Sequence, residues 1–164
     1  MKTGKQALGV TGERLVRDHA DCPGCKREER TFRLLPQNFK CADLICDFCG
    51  YLAQVKSKSI TGPLPSEVSG RIIGAAWQPQ RERMTAGIYF SLYIVLVNER
   101  GLASIYFLPR DLQTPAMFQP RTPLGPNAKR AGWQGFSINL DAASGKAVRI
   151  VDKGGVEFQT KLMR

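Results

Sequence analysis

The 164-residue sequence has no apolar run that approaches the roughly 18 residues of a membrane span, and no apolar stretch follows its basic N-terminus. These absences argue against a transmembrane helix and against a secretory signal peptide. The sequence also lacks internal repeats and low-complexity tails. Its length therefore predicts a single domain, residues 1–164, and its 43% hydrophobic content is enough for one sizeable core.

Acidic residues are scarce: 14 of them stand against 24 basic residues, which gives a formal net charge of +10 at pH 7. A large positive excess favours a polyanionic partner such as nucleic acid. Many basic proteins bind nothing acidic, however, so charge alone leaves nucleic-acid binding open.

Cysteine is present at five positions, in a chain without a recognisable export segment. This combination predicts a reducing compartment, the cytoplasm, where paired Cys-x-x-Cys spacings bind metal more often than they form disulfides. One cysteine, Cys41, falls outside both pairs, and we expect it to be a small buried apolar residue.

The two pairs, Cys22/Cys25 and Cys46/Cys49, flank 20 residues. Zinc prefers four tetrahedral ligands, and each Cys-x-x-Cys turn supplies two of them. The sequence thus predicts a structural zinc knuckle at about residues 22–50, with no open coordination position for chemistry. A redox pair is disfavoured because no thioredoxin-like context surrounds it, and His19 is a less favoured substitute ligand.

Coarse patterns place the secondary structure. A helix is expected at about 11–19, capped by Thr11, and a second from Ser66 to about Gln78. Strands are expected at 40–46, 51–58, 88–97, 102–108, 136–140 and 146–151. The proline-rich residues 109–126 predict an extended surface loop with at most a short helix near Asp111. This order predicts an α/β or α+β sheet packed with helices.

Asp43, Gln54 and Lys56 form a second pattern beside the cysteines. Residues i and i+2 of a strand share a face, so Gln54 and Lys56 point the same way, and a paired strand would bring Asp43 to them. Carboxylate and amide oxygens can hold a magnesium ion, and a neighbouring lysine can orient water for phosphodiester cleavage. A merely solvated strand face is the alternative, and the spacing alone favours it.

Three segments carry a family resemblance: CPGC at 22–25, ADLICDFCGYLAQVKSKS at 42–59 and PRTPLGPNAKRAGWQGFSINL at 120–140. Over about residues 10–151, the chain resembles the catalytic domain of the DpnI-type restriction endonucleases, which are related to the Dam-replacing proteins. The KRAGW run after a basic proline-rich loop is the most specific of the three.

The resemblance implies a PD-(D/E)xK nuclease fold, a mixed β-sheet flanked by helices, with a zinc knuckle. It implies magnesium-dependent cleavage of double-stranded DNA at a short site, Gm6ATC with N6-methyladenine in the best-known members. Carried over by position, Asp43 is the acidic magnesium ligand, Gln54 the second ligand and Lys56 the catalytic lysine. Glu13 matches an auxiliary acid on position alone. The zinc ligands implied are Cys22, Cys25, Cys46 and Cys49.

Two departures from the family pattern bear on activity. Gln54 stands where the family has a second acid, and a neutral amide holds magnesium more weakly than a carboxylate does. The sequence ends at Arg164, so we expect it to lack the C-terminal winged-helix domain of fuller members. That domain also recognises the methylated site, so methyl selectivity stays open.

DNA contacts are expected from a basic loop at 120–135 that enters the major groove, where the adenine N6 methyl group is exposed. The candidate contact residues are Lys58, Arg121, Lys129, Arg130 and Trp133. Phe118 is a second aromatic candidate for base contact, whereas core packing is the equal alternative for Trp133.

The leading hypothesis is therefore a magnesium-dependent restriction endonuclease acting on double-stranded DNA, with structural zinc. The rival is a catalytically silent, zinc-stabilised DNA-binding module, which Gln54 favours and the retained Asp43 and Lys56 disfavour. A zinc-ribbon RNA-binding protein ranks third, since it leaves KRAGW unexplained. The oligomeric state is open.

Overall fold

The computed structural model describes residues 3–151 and 155–157, and all structural statements concern these residues. Two helices and ten strands lie within them. In chain order they are α1 Gly4–His19, β1 Phe32–Leu34, β2 Leu44–Cys46, β3 Leu52–Ser59, β4 Arg71–Gly74, α2 Trp77–Thr85, β5 Ser91–Val97, β6 Leu102–Leu108, β7 Phe118–Pro120, β8 Phe136–Asn139, β9 Val148–Arg149 and β10 Val156–Glu157.

The main sheet has the strand order β1-β2-β3-β5-β6-β10, with β9 pairing beside β6. Strands β3 and β5 are parallel, whereas the other pairs are antiparallel, so the sheet is mixed. Every residue of β5 is buried, because this apolar, β-branched strand is covered on both faces. The mixed α/β architecture predicted from the sequence is confirmed.

Side chains alternate across β5 and divide the interior into two cores. On one face, Leu15 and Val16 of α1 pack with Val55 and Val95. On the other face, a second sheet with the order β4-β8-β7 packs against Leu92, Ile94 and Leu96. The knuckle belongs to the first core, since Cys22 and Cys46 are buried in it.

The predicted start of the first helix is wrong. Helix α1 begins at Gly4, and Thr3 caps it through a capping box in which the Gln6 side chain accepts from the Thr3 N–H. Thr11 is therefore an interior residue. The low helix propensity of Gly9 and Gly12 is overridden by packing of the helix on the sheet.

The helix predicted from Ser66 to about Gln78 is also wrong. Strand β4 occupies part of that segment, with Ile72 buried and its neighbour Ile73 exposed, which is a period of two. Helix α2 begins after it, at Trp77, and Pro79 lies in its first turn. Proline is tolerated there because N–H groups of the first turn have no partner within the helix.

The predicted strands are confirmed in place. Four of them are shorter than predicted, whereas β6 has the predicted bounds and β3 runs one residue further, to Ser59. The expected short helix near Asp111 is a 3₁₀ turn at Arg110–Leu112. The proline-rich segment that follows is more structured than predicted, because it holds a second 3₁₀ turn, Pro115–Met117, and strand β7.

Candidate active site and metal centre

The hairpin β2–β3 places Asp43 beside Gln54. Leu44 pairs with Ala53, and Asp43 is the next residue out, its N–H donating to the Ala53 carbonyl at 2.9 Å. Beyond Asp43 the two strands separate, and a side chain replaces the backbone as the acceptor for β3. The Val55 N–H donates a hydrogen bond to Oδ2 of the Asp43 carboxylate at 2.7 Å. One carboxylate oxygen is thereby anchored to the backbone, and the other can serve as a metal ligand.

Gln54 and Lys56 point to the face of β3 that the second sheet covers. Their parallel partners Leu92 and Ile94 belong to the second core, and both polar side chains are half-buried. The Gln54 Nε2 donates to the Cys41 carbonyl at 2.9 Å. Within the described ranges, neither a hydrogen bond nor an ion pair engages the Lys56 ammonium.

The structure thus brings together the three residues that the sequence singles out. An acidic oxygen and an amide oxygen are hard ligands of the type that magnesium prefers, so Asp43 and Gln54 fit this ion chemically. The Lys56 ammonium extends from the same strand face as Gln54. Their roles in catalysis remain a prediction.

Glu13 is half-buried on α1, and α1 packs on the sheet face opposite to the one that Gln54 and Lys56 share. Its role as an auxiliary magnesium ligand stays a prediction.

The four paired cysteines converge, as the spacing predicts. The sulfur atoms of Cys22, Cys25, Cys46 and Cys49 all lie within 4.8 Å of one another. The Cys22 and Cys49 Sγ atoms are 3.5 Å apart, and those of Cys25 and Cys46 are 3.8 Å apart. A tetrahedron with zinc–sulfur bonds of about 2.3 Å has sulfur atoms about 3.8 Å apart. The cluster therefore fits zinc.

Local hydrogen bonding lowers the pKa of one of these thiols, that of Cys46, and so favours its thiolate form. Burial opposes ionisation of Cys46, but its contacts with the Thr31 hydroxyl and with the N–H groups of Cys49 and Phe48 lower its pKa to about 6. Burial raises the pKa of Cys22 to about 12. Because the four sulfurs are adjacent, a cation is needed before all of them can be anionic together.

Strand β2 links the two candidate sites directly. It ends at Cys46, and Asp43 immediately precedes it. Cys41 and His19 are not members of the sulfur cluster. Cys41 is half-buried, and its backbone carbonyl, rather than its thiol, contacts the candidate active site through Gln54. Sequence reasoning missed this contact, since no residue pattern reports a backbone acceptor.

The basic loop between β7 and β8 is held by backbone hydrogen bonds. Arg121 donates to Gly135 at 2.9 Å, Leu124 to Trp133 at 2.9 Å, and Gly132 to Leu124 at 2.8 Å. This loop extends from the second sheet, which covers the same face of the main sheet as Gln54 and Lys56. The sequence did not predict that sheet, and it is what brings the loop to this side of the molecule.

Within this loop, Arg121, Lys129 and Arg130 are exposed, and Trp133 is half-buried. The Arg130 guanidinium lies 4.7 Å from the centre of the Trp133 ring, a cation–π contact. Trp133 is therefore a covered surface residue rather than a core residue.

Two other residues that were predicted to contact DNA, Lys58 and Phe118, make contacts within the protein. Lys58 Nζ donates to the Arg71 carbonyl at 3.0 Å and ties β3 to the second sheet. An ammonium has three donors, so this bond leaves Lys58 capable of a further contact. Phe118 is buried in the second core and unavailable to a base.

In the described part of the chain, neither helix is long and apolar enough to cross a membrane.

The family model of the DpnI, Dam-replacing family matches residues 1–163, in agreement with the sequence resemblance. Among solved structures, one described as a restriction endonuclease in complex with substrate DNA is similar at a TM-score of 0.40 and 15% sequence identity. The match covers 92% of this chain and 72% of that one.

Proposed function

This chain belongs to the DpnI, Dam-replacing family, and from that premise we propose that it is a restriction-type endonuclease that hydrolyses double-stranded DNA with magnesium at a short adenine-methylated site. The observation that carries the proposal is the convergence of Asp43, Gln54 and Lys56 beside one another on a single hairpin. Structural zinc in the four-cysteine cluster would stiffen that hairpin.

In this proposal Asp43 and Gln54 hold the magnesium ion through side-chain oxygens. Bound there, the ion would supply Lewis acidity, charge neutralisation at the scissile phosphate and activation of water. The anchored Oδ2 of Asp43 fixes the direction in which its other oxygen points. Lys56 would orient the attacking water and stabilise negative charge developing on the phosphoryl oxygens.

The basic loop between β7 and β8 would hold the duplex. Arg121, Lys129 and Arg130 would contact phosphates, which orients the DNA and makes binding depend on salt. Trp133 would lie near the major groove, where an aromatic side chain can touch the methyl group of N6-methyladenine. The preordered backbone of the loop supports this role, because little conformational entropy is then lost on binding.

A catalytically silent DNA-binding module is the second candidate, and the neutral side chain of Gln54 is the observation that favours it. One carboxylate and one amide hold a divalent cation less strongly than two carboxylates do. Such a module would keep the basic loop and the zinc knuckle while losing hydrolysis.

Cleavage of plasmid DNA, with and without adenine methylation, separates the two candidates. Zinc-loaded wild type, Lys56→Ala and the control Lys5→Ala, which changes an exposed lysine of α1, would be incubated with both plasmids in magnesium. We expect the wild type and Lys5→Ala to cut methylated DNA and Lys56→Ala to be at least about 10²-fold slower.

The other outcomes are equally definite. Cutting of both plasmids, lost only in Lys56→Ala, keeps the nuclease and removes methyl selectivity. Salt-sensitive DNA binding without cutting supports the silent module. Equal cutting by wild type and Lys56→Ala contradicts the proposed role of the lysine.

A further inference from the structure

The Gln54 side chain is held in one orientation by the main chain. Its Nε2 donates to the Cys41 carbonyl oxygen at 2.9 Å in a partly buried position. A carbonyl oxygen can only accept a hydrogen bond, so the NH₂ end of the amide must face it. The Oε1 end is therefore directed away from Cys41.

From this contact we propose that the Cys41 carbonyl is a positioning group, which makes Gln54 a preoriented neutral metal ligand through Oε1. The inference rests on the proposed function, because it concerns the same metal site. It adds that this site is built for an amide at position 54 rather than weakened by one.

A carboxylate at position 54 would meet two obstacles. In the observed side-chain conformation, one of its oxygens would lie where Nε2 now lies, 2.9 Å from the Cys41 oxygen, with no hydrogen between the two acceptors. It would also bring a second negative charge beside Asp43.

Asp43 has little freedom to move away from such a charge. Its Oδ2 is bound to the Val55 N–H at 2.7 Å, and its own N–H is bound to Ala53. A glutamate at position 54 must therefore rotate out of the conformation in which the glutamine is held. The family's usual carboxylate and this amide are consequently not interchangeable here.

The first test measures Mn²⁺ binding to zinc-loaded protein by electron paramagnetic resonance, independently of DNA cleavage. Wild type would be compared with Gln54→Glu and with Gln54→Leu, which removes both amide groups. We expect Gln54→Glu to bind Mn²⁺ no more tightly than wild type, and Gln54→Leu to bind it at least tenfold more weakly. Tenfold tighter binding by Gln54→Glu would overturn the proposal.

A second measurement follows the amide itself. In ¹⁵N-labelled protein, the side-chain NH₂ signal that is missing from Gln54→Glu belongs to Gln54. We expect its protons to exchange slowly with water and to keep doing so when Mg²⁺ is added, because the ion binds the oxygen and leaves the Cys41 contact intact. Fast exchange of these side-chain protons before Mg²⁺ is added would contradict the positioning role.

Failure of this inference and failure of the proposed function look different. A wild type that cuts DNA, together with a Gln54→Glu variant that binds Mn²⁺ more tightly, keeps the nuclease and removes the positioning role. A wild type that binds Mn²⁺ through Gln54 but cuts no DNA keeps the positioning role and removes the nuclease.

Discussion

The Val55 N–H donates a hydrogen bond to the Asp43 carboxylate at 2.7 Å. The carboxylate thereby stands in for a backbone acceptor at the point where β2 separates from β3. The same side chain is the acidic metal ligand of the proposed site. Structure and chemistry thus depend on one residue, and variants of Asp43 differ in which of the two they disturb.

Asp43→Asn separates these two contributions. The amide oxygen of asparagine can still accept from Val55, whereas the negative charge that attracts the metal is lost. We expect the unfolding midpoint in guanidinium chloride to stay near the wild-type value while magnesium-dependent cleavage falls at least about 10²-fold. In contrast, Asp43→Ala leaves the Val55 N–H unpaired and should lower the free energy of unfolding by about 1–3 kcal/mol. Wild-type cleavage by Asp43→Asn would remove Asp43 from the metal site.

Zinc should be lost from a cluster variant and retained in its matched control. Cys49→Ser removes a ligand, whereas Cys41→Ser changes a cysteine outside the sulfur cluster. We expect elemental analysis to find one zinc per chain in wild type and Cys41→Ser, and much less in Cys49→Ser. The free energy of unfolding of Cys49→Ser should fall by about 4 kcal/mol or more, because zinc binding contributes folding energy. Equal zinc contents in all three proteins would contradict the four-cysteine site.

Helix α1 packs closely against β3 at Gly12, where an added Cβ would overlap the Ser57 hydroxyl. That hydroxyl is buried and, in the described residues, lacks a hydrogen-bond partner. Overpacking costs about 1–3 kcal/mol, and the better helix propensity of alanine returns about 1 kcal/mol. We expect Gly12→Ala to lower the free energy of unfolding by on the order of 1 kcal/mol.

Ser57→Ala is the partner variant in a double-mutant cycle. Removing an unpaired buried hydroxyl should leave stability unchanged or higher. We expect Gly12→Ala to cost less in the Ser57→Ala background, since the overlapping oxygen is gone. Equal costs in both backgrounds would show that the helix shifts as a body instead.

Trp133→Ala tests recognition of the methyl group. If the indole touches N6-methyladenine, the variant should bind methylated duplex more weakly, with a smaller change for unmethylated duplex. Arg130→Gln is the contrasting variant, because loss of a phosphate contact should weaken both duplexes and lower the salt slope by about 1. Equal losses on both duplexes in Trp133→Ala would remove it from methyl recognition.

Features encoded by short spacings were predictable from the sequence. The Cys-x-x-Cys pairs and the Gln54–Lys56 spacing depend only on local geometry, and the structure brings each set together. The apolar, β-branched strand β5 was recognisable for the same reason, because burial on both faces leaves a continuous apolar run.

The errors arose where long-range contacts decide the local structure. Ile72 fits a helical period with Val68, but its pairing with Ile138, 66 residues further along the chain, makes β4 a strand. The start of α1 was missed because its glycines are poor helix formers in isolation, and contact with the sheet outweighs that preference. A short window of sequence around β4 or α1 contains neither Ile138 nor the sheet residues that α1 contacts.

The hairpin from Asp43 to Lys56 also has a consequence for folding kinetics. Its β2–β3 contacts join residues close in the chain, so closing the loop costs little entropy. The parallel pairing of β3 with β5 must await a crossover that contains β4 and α2. The hairpin can therefore form early, whereas the second sheet that carries the basic loop forms only after residues beyond β5 have joined it. Affinity for DNA should consequently appear later in folding than the arrangement of the three polar side chains.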